Sequence, residues 1–252
     1  MLTKAKIKQI HSLKMKKCRD EQQLFVAEGN KLVADMLSSF RCEWMIAKPS
    51  WIATQGEMPV NELVEADNDD IRKISFLKTP QDVLALFRYP SYRPEEADPS
   101  VRLVLALDGV QDPGNLGAIV RIADWFGVEH IVCSPDSADV FGPKTVQATM
   151  GSLARVKVQS MPLENFLKQD VPVYGTFLDG EDIYCQQLTP HGIVVMGNEG
   201  NGIRPSIKSL ISRRLYIPPY PATRTGLQSL NVAAATAVVC AEFRRQANSA
   251  SA

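Results

Sequence analysis

The chain has 252 residues, 45% hydrophobic and 22% charged, with 28 basic against 28 acidic side chains. That length allows one large domain or two modest ones, and the zero net charge means that any nucleic-acid surface must be local. The five cysteines (Cys18, Cys42, Cys133, Cys185 and Cys240) show no C-x-x-C spacing and no apolar run reaches membrane-spanning length, so a disulfide framework, a zinc site and a membrane span are all disfavoured.

The chain opens with MLTKAKIKQIHSLKMKKCRD, which has no continuous apolar core and so does not read as a signal peptide. Lys4, Lys6, Lys8, Lys14, Lys16, Lys17 and Arg19 are basic, and no acid interrupts them. Such a segment can lie along phosphates. The same residues also fit a solvated amphipathic helix, with Ile7, Ile10, Leu13 and Met15 on its apolar side.

Further on, CEWMIAK (42–48), VNELVEA (60–66) and VLALFRY (83–89) read as strands. GNKLVADMLSS (29–39) and NDDIRKIS (68–75) read as helices between them. This is a small α/β unit. RYPSYRPEEADPS (88–100) carries three prolines among polar residues and reads as a linker. The expected division is therefore 1–95 and 96–252.

Beyond the linker, RLVLALD, HIVCS, ARVKV, VPVYGTF, GIVVMG and RRLYIP are apolar, β-branched runs with helical patterns between several of them. Near-continuous apolar strands imply a mostly parallel sheet with helices on both faces. In such a sheet ligands gather at the carboxyl ends of the strands, and three unusual loops fall there. LDGVQDPGNLGAIVRIADWFG (107–127) ends a strand at Asp108 and starts a helix, with Asn115 as expected cap. Leu116, Ile119, Val120, Ala123 and Phe126 form the buried face of that helix. Arg121 stands four residues after Gly117 on the same helical face, where the glycine contributes no side chain and a bulky partner could approach it; its bland role is a surface pair with Asp124. IVVMGNEGNGI (193–203) follows a strand with glycines at 197, 200 and 202, which let a ligand touch backbone groups. Glu199 inside that loop would repel the pyrophosphate of NAD, so a neutral or cationic cofactor fits better. LYIPPYPATRTGLQSLNVAAATAVV (215–239) ends a strand at Ile217 and leads through a proline-rich loop into an alanine-rich helix. Ser229 and Asn231 stand at its start, as caps or as site residues.

Taken together, these loops resemble the three motifs of the SpoU-type (TrmH-type) RNA ribose methyltransferases of the SPOUT superfamily. The first motif is matched by Asn115, Gly117, Ala118, Ile119 and Arg121, and the second by Gly197, Asn198, Glu199, Gly200, Gly202 and Ile203. Ile217, Pro218, Ser229, Leu230, Asn231 and Val232 match the third. KMKKCRDEQQLFVAEGNKLV (14–33) is similar to the family's RNA-binding accessory domain, which makes Lys14, Lys16, Lys17 and Arg19 the expected RNA contacts. The loop PPYPATRTGLQ is longer and richer in proline than the family's usual one, with Gly226 the candidate for its glycine.

The resemblance implies a knotted α/β fold, against the rule that chains avoid knots. It implies S-adenosylmethionine as cofactor and a homodimer with the site near its interface, acting on structured RNA. The dispersed cysteines fit a cytoplasmic protein, and His11, His130 and His191, far apart in sequence, lead to the expectation of no metal. Ribosomal RNA is the expected acceptor and tRNA the alternative; a fold-sharing RNA-binding or ribosome-assembly factor without activity is another. Gly197, Ile217 and Leu230 would hold the adenine, with Met196, Asn198, Gly202, Pro218 and Thr176 nearby. Arg121, Asn115, Glu199, Ser229 and Asn231 form the expected catalytic set. The family gives the proton-taking role to the arginine. A guanidinium stays protonated, however, so Arg121 is better read as clamping a neighbouring phosphate and stabilising the developing alkoxide.

Overall fold

The computed structural model describes residues 2–221, Arg224 and 229–250. Its contacts divide the chain into two units. The first is Met1–Ser91 with Asp139–Arg155, and the second is Tyr92–Ala138 with Val156–Ala252. The first division falls within the proline-rich segment, four residues before the expected one. The transfer of Asp139–Arg155 to the first unit has no counterpart in the sequence reading.

The first unit begins with α1 (Lys4–Ser12) and α2 (Lys16–Gln22), then β1 (Leu24–Glu28), α3 (Asn30–Leu37), β2 (Cys42–Ala47) and α4 (Pro49–Ile52). β3 (Val60–Glu65), α5 (Asn68–Ile74) and β4 (Val83–Arg88) complete its sheet, which runs in the order β1-β4-β2-β3. β4 is antiparallel to β1 and β2, and β3 is parallel to β2. β1 is the strand that the sequence reading missed. All five of its residues are buried, but its apolar run is only four residues long and ends in Glu28, a buried carboxylate that accepts from Ser75 and the Phe76 backbone N–H.

The basic N-terminal segment folds as two helices, not one. Ile10 and Leu13 are buried as an amphipathic helix requires, but the chain turns after Leu13 and Met15 becomes the exposed N-cap of α2. Arg19 is a correction to the expected RNA-contact set. It is buried, donating to the carbonyls of Leu13 and Lys14 at 2.6 and 2.9 Å and pairing with Asp139. Lys14, Lys16 and Lys17 are exposed.

The second unit contains β5 (Leu103–Asp108), α6 (Pro113–Trp125) and β6 (His130–Cys133). The chain then supplies α7 (Pro143–Ala148) to the first unit and returns with β7 (Lys157–Ser160). α8 (Leu163–Phe166), β8 (Val173–Asp182), β9 (Gly192–Gly197), α9 (Pro205–Lys208), β10 (Arg213–Tyr216) and α10 (Val232–Ala250) follow. The six strands pair in parallel in the order β10-β8-β9-β5-β6-β7. Strand alternation sends Val173, Ile193 and Val195 to one face, against Leu163 and Phe166 of α8 and Ile207 of α9. Tyr174 points the other way and meets Phe243 of α10 edge-on at 5.0 Å. Helices thus cover both faces, as expected.

Three boundaries differ from the sequence reading. Gly151, at φ +93°, starts a 3-10 turn over Ser152–Ala154, so β7 begins at Lys157 and not at Ala154. β10 ends at Tyr216, one residue before Ile217. The cap of α6 is Asp112, whose carboxylate accepts the Asn115 backbone N–H at 2.7 Å, and Phe126 is only half-buried. Asn115 lies inside the helix, with its side chain released for other work.

Candidate active site

β5 and β9 lie at the centre of the sheet, with Asp108 opposite Gly197 at their carboxyl ends. The glycine loop after β9 doubles back on itself. Asn198 and Gly202 exchange backbone hydrogen bonds at 3.0 and 2.9 Å, and Gly202 adopts φ +67°. A Cβ on Gly197 would stand 2.5 Å from the Gly202 carbonyl carbon and the Ile203 nitrogen, so the turn requires glycine at 197. The Asn198 side chain accepts from the backbone N–H groups of Gly200 and Asn201 and donates to the Gly109 carbonyl at 2.7 Å.

The far end of the loop is latched to β5. The Arg204 backbone N–H donates to buried Asp108 at 2.8 Å, and its guanidinium pairs with that same carboxylate. The guanidinium also forks onto both oxygens of Asp136, at 2.8 and 2.9 Å. The Asp136 carboxyl is held below the usual carboxylate range, chiefly by that hydrogen bond.

A cavity of about 650 Å³ opens beside this loop, over the ends of β8, β9 and β10. Of the expected cofactor residues, Thr176, Met196, Gly197 and Asn198 line it from the strand ends and loop, joined by Gly202, Ile217 and Leu230. Pro218 does not. Glu199 and Ser229 of the expected catalytic set also line the cavity. Asn115 and Asn231 reach it through hydrogen bonds: Asn231 donates to Asn115 Oδ1 at 3.0 Å, and Asn115 donates to Glu199 Oε1 at 2.8 Å. One residue from each of the three sequence motifs therefore enters a single chain. Asn231 also caps α10, its Oδ1 accepting from Ala233 and Ala234 at 3.0 and 3.3 Å.

Arg121 stands apart. It is exposed on α6, does not line the cavity, and no described residue hydrogen-bonds to it or pairs with it. Residues 222, 223 and 225–228, Gly226 among them, lie outside the described residues.

The sequence reading missed the outer wall of the cavity. Phe177, Asp179, Lys208 and Tyr216 line it, and Arg214, stacked 3.9 Å from the Phe177 ring centre, is paired with Asp179. The signal was the length of β8, which continues past Phe177 to Asp182.

The chemistry of this cavity suits a nucleoside cofactor bearing positive charge. Apolar side chains (Met196, Ile203, Leu215 and Val232) can cover a base, the glycine loop admits close backbone approach, and Glu199 offers a carboxylate. Among the described residues no group of three or more His, Cys, Asp or Glu side chains could hold a metal ion, and no helix is long and apolar enough to cross a membrane.

A parallel α/β sheet with such a cavity at its strand ends is the arrangement in which nucleotide cofactors are bound. Comparison with known proteins gives the family. Residues 102–241 match the SpoU rRNA methylase family and residues 4–85 the MRM3-like substrate binding domain. The chain is similar to the 23S rRNA (guanosine(2553)-2'-O)-methyltransferase RlmP of Bacillus subtilis, at 31% identity over 95% of this chain and 96% of that one. Among solved structures it is similar to a TrmH-family protein from Porphyromonas gingivalis, with a TM-score of 0.89 and 41% identity over 98% of this chain and 99% of the other. An AdoMet-bound rRNA methyltransferase from Sinorhizobium meliloti gives a TM-score of 0.83 at 31% identity, covering 97% and 96%. The chain belongs to the SpoU rRNA methylase family, the S-adenosylmethionine-dependent RNA 2'-O-methyltransferases that its motifs resemble.

Proposed function

We propose that this protein methylates the 2'-hydroxyl of a guanosine in ribosomal RNA. The observation that carries the reading is the hydrogen-bonded chain from Glu199 through Asn115 to Asn231 at the edge of the cofactor cavity. The acceptor follows the relative from Bacillus subtilis, whose name specifies a guanosine of 23S rRNA, and the MRM3-like substrate binding domain supports RNA as the ligand of the first unit.

Gly197, Ile217 and Leu230 hold the adenosine end of the cofactor, by backbone groups and an apolar wall, with Thr176, Met196, Asn198 and Gly202 around them. Pro218 keeps the chain extended as it leaves the cavity. Bound S-adenosylmethionine supplies an electrophilic methyl group and a neutral thioether leaving group. The protein then has two tasks, to position the acceptor and to stabilise its hydroxyl as the proton leaves. Glu199, oriented by Asn115, and Ser229 hold the ribose hydroxyls. Arg121 binds the neighbouring phosphate through its planar fork and stabilises the developing alkoxide. Lys14, Lys16 and Lys17 carry RNA phosphates on the first unit. A homodimer and a knotted C-terminal segment, following from the family resemblance, complete the reading, with a metal-free reaction and a cytoplasmic setting suggested by the dispersed histidines and cysteines.

The test is transfer of radiolabelled methyl from S-adenosylmethionine to unmodified 23S rRNA and tRNA transcripts, with the product mapped by resistance to alkaline cleavage. Label at a guanosine ribose of 23S rRNA supports the proposal. Label in tRNA, on a base, or nowhere defeats it, the last outcome favouring a silent assembly factor.

A further inference from the structure

A second cavity, of about 390 Å³, opens at the carboxyl ends of β5, β6 and β7. It lies across the glycine loop from the cofactor cavity. Ile203 lines the first cavity and Arg204, the next residue, lines the second. Asp108, at the end of β5 opposite Gly197, belongs to the second cavity as well. A ligand in the second cavity is therefore a loop's width from the cofactor, at the same end of the sheet.

Apart from Ser134, its lining falls into two kinds. Pro135, Pro162, Leu163 and Ile207 are apolar, and the last two are buried in the core. Asp108, Asp136, Glu164 and Arg204 are charged, three carboxylates to one guanidinium. The surplus negative charge repels phosphate and carboxylate ligands. The volume is at the small end for ligand cavities and suits one flat ring system. The ligand chemistry defined this way is an uncharged aromatic ring that offers hydrogen-bond donors to a carboxylate.

Asp136 has both oxygens on Arg204, and Asp108 is held by the Arg204 backbone and side chain. Glu164 is less committed. One oxygen accepts from Ser206 at 3.0 Å, and a carboxylate has about four lone-pair sites. Its carboxyl is held below the usual range by its own backbone N–H and by Ser206, so it is ionised and acceptor-only near neutral pH. Among the RNA bases, guanine alone sets two donors side by side, N1–H and the N2 amine, with the O6 acceptor next to them. Adenine and cytosine put a ring acceptor beside their single amine, and a carboxylate repels it.

We propose that this second cavity seats the base of the acceptor nucleotide, that the base is guanine, and that Glu164 reads its N1–H and N2 amine while Arg204 faces O6. The base is splayed out of its strand to enter, as single-stranded RNA readers require. Its ribose then lies beside the glycine loop, where Glu199 and Asn115 stand. The inference rests on the reading of the protein as a guanosine-ribose methyltransferase and gives that reading its specificity residue.

The test uses the full-length enzyme and two probes. The first is 23S rRNA transcript carrying guanosine or, by splint ligation, inosine at the mapped acceptor; inosine lacks only the N2 amine. Wild type is expected to methylate guanosine about ten- to a hundredfold faster than inosine. Glu164→Gln should lose most of the guanosine rate and most of that preference, with S-adenosylmethionine affinity unchanged within twofold. A merely structural role for Glu164 would not change the guanosine-to-inosine ratio. The second probe is free guanosine against inosine and adenosine, followed by saturation-transfer NMR, which needs no methyl transfer. Preference for guanosine in wild type and its loss in Glu164→Gln supports the pocket even if rRNA is not the substrate. A mapped acceptor other than guanosine, an undiminished guanosine-to-inosine ratio in the variant, or equal binding of the three nucleosides overturns it.

Discussion

Asn231 donates to Asn115 Oδ1 at 3.0 Å, and the direction of that bond is fixed from both sides. On one side the free N–H groups of α10 need the Asn231 oxygen, which leaves its amide hydrogens for Asn115. On the other side a Glu199 carboxyl oxygen accepts from the Asn115 amide nitrogen, which leaves the Asn115 oxygen turned toward Asn231. The helix start and the cavity carboxylate thereby set each other's geometry. Capping and site-building are one function at Asn231.

Asn231→Asp separates the two tasks. The carboxylate still caps α10 and suits the helix dipole, so the melting temperature should hold or rise slightly. It has no donor for Asn115, so one bond of the chain is lost and a carboxylate faces an amide oxygen. Methyl transfer should fall about ten- to a hundredfold, corresponding to roughly 1–3 kcal/mol for an unmet polar group. Asn231→Ala should lose activity and also about 1 kcal/mol of stability. Equal activity in wild type and the aspartate variant would show that the relay is incidental.

Gly197→Ala tests the loop. The added methyl meets backbone at 2.5 Å on the return strand of the turn, where no side chain can swing aside. The turn must open, and S-adenosylmethionine affinity should drop by an order of magnitude or more. Gly200→Ala is the control, because its nearest neighbour is the Asn198 side chain at 3.6 Å, an ordinary contact. Calorimetric titration of both variants with S-adenosylhomocysteine distinguishes them.

These particulars show what could be read in the sequence. The central strands were visible because Leu103–Asp108 and Gly192–Gly197 are buried along nearly their whole length and so read as unbroken apolar runs. The motif residues were visible because Gly197, Asn198 and Glu199 break off an apolar run at the end of β9. The boundary of the units was only half visible. Asp139–Arg155 joins the first unit through the Arg19–Asp139 pair and the stacking of Phe141 on Tyr89 at 4.5 Å, contacts that span over fifty residues. Removing residues 1–95 would strip those partners, so a clean truncation of the first unit needs both segments. Arg19 was misread for the same reason. A basic residue in a basic run looks solvated until the distant carboxylate is known.

Arg204 should act on cofactor binding through the loop. Arg204→Ala leaves Asp108, 1% exposed, without its guanidinium, and frees the exit of the glycine loop. S-adenosylhomocysteine affinity should weaken about tenfold or more. Asp136→Asn should weaken it far less, because the Asp136 side chain is 51% exposed and screened by solvent. The reverse order would place the latch at Asp136 instead.

His130 gives a pH signature. Burial, then the charges of Arg102 and Lys157, push its pKa below the usual histidine value, and Glu129 and Glu96 offset only part of this. Arg102 can only donate, so its 3.3 Å contact with Nε2 requires the neutral ring. The folded state therefore binds this proton less readily than the unfolded chain. Its stability contribution is full above about pH 6.5 and falls as the pH drops from there toward the folded pKa. The paired carboxylates Asp136 and Glu96 are both lowered and respond only at more acidic pH. Melting temperature measured from pH 7.5 to 5 should fall in wild type and fall less in His130→Asn. Parallel curves would remove His130 as the cause.

Arg121 carries the reading of the chemistry. If it clamps phosphate and stabilises the alkoxide, Arg121→Ala should cost on the order of 3 kcal/mol in the transition state, about a hundredfold in rate. Its exposure and lack of a described partner mean that the fold does not spend it elsewhere, so the melting temperature should not move. Cofactor affinity should stay within twofold, because Arg121 does not line the cofactor cavity. Arg121→Lys should recover part of the rate, since an ammonium keeps the charge and loses the fork. A guanidinium that only stabilises charge leaves the acidic limb of the pH–rate profile unchanged in the lysine variant. A guanidinium acting as base would be replaced by a group of lower pKa, and the profile would shift to lower pH. Single-turnover methylation across pH, with wild type and both variants, decides between clamp and base. A wild-type rate in the alanine variant would return Arg121 to an ordinary surface residue.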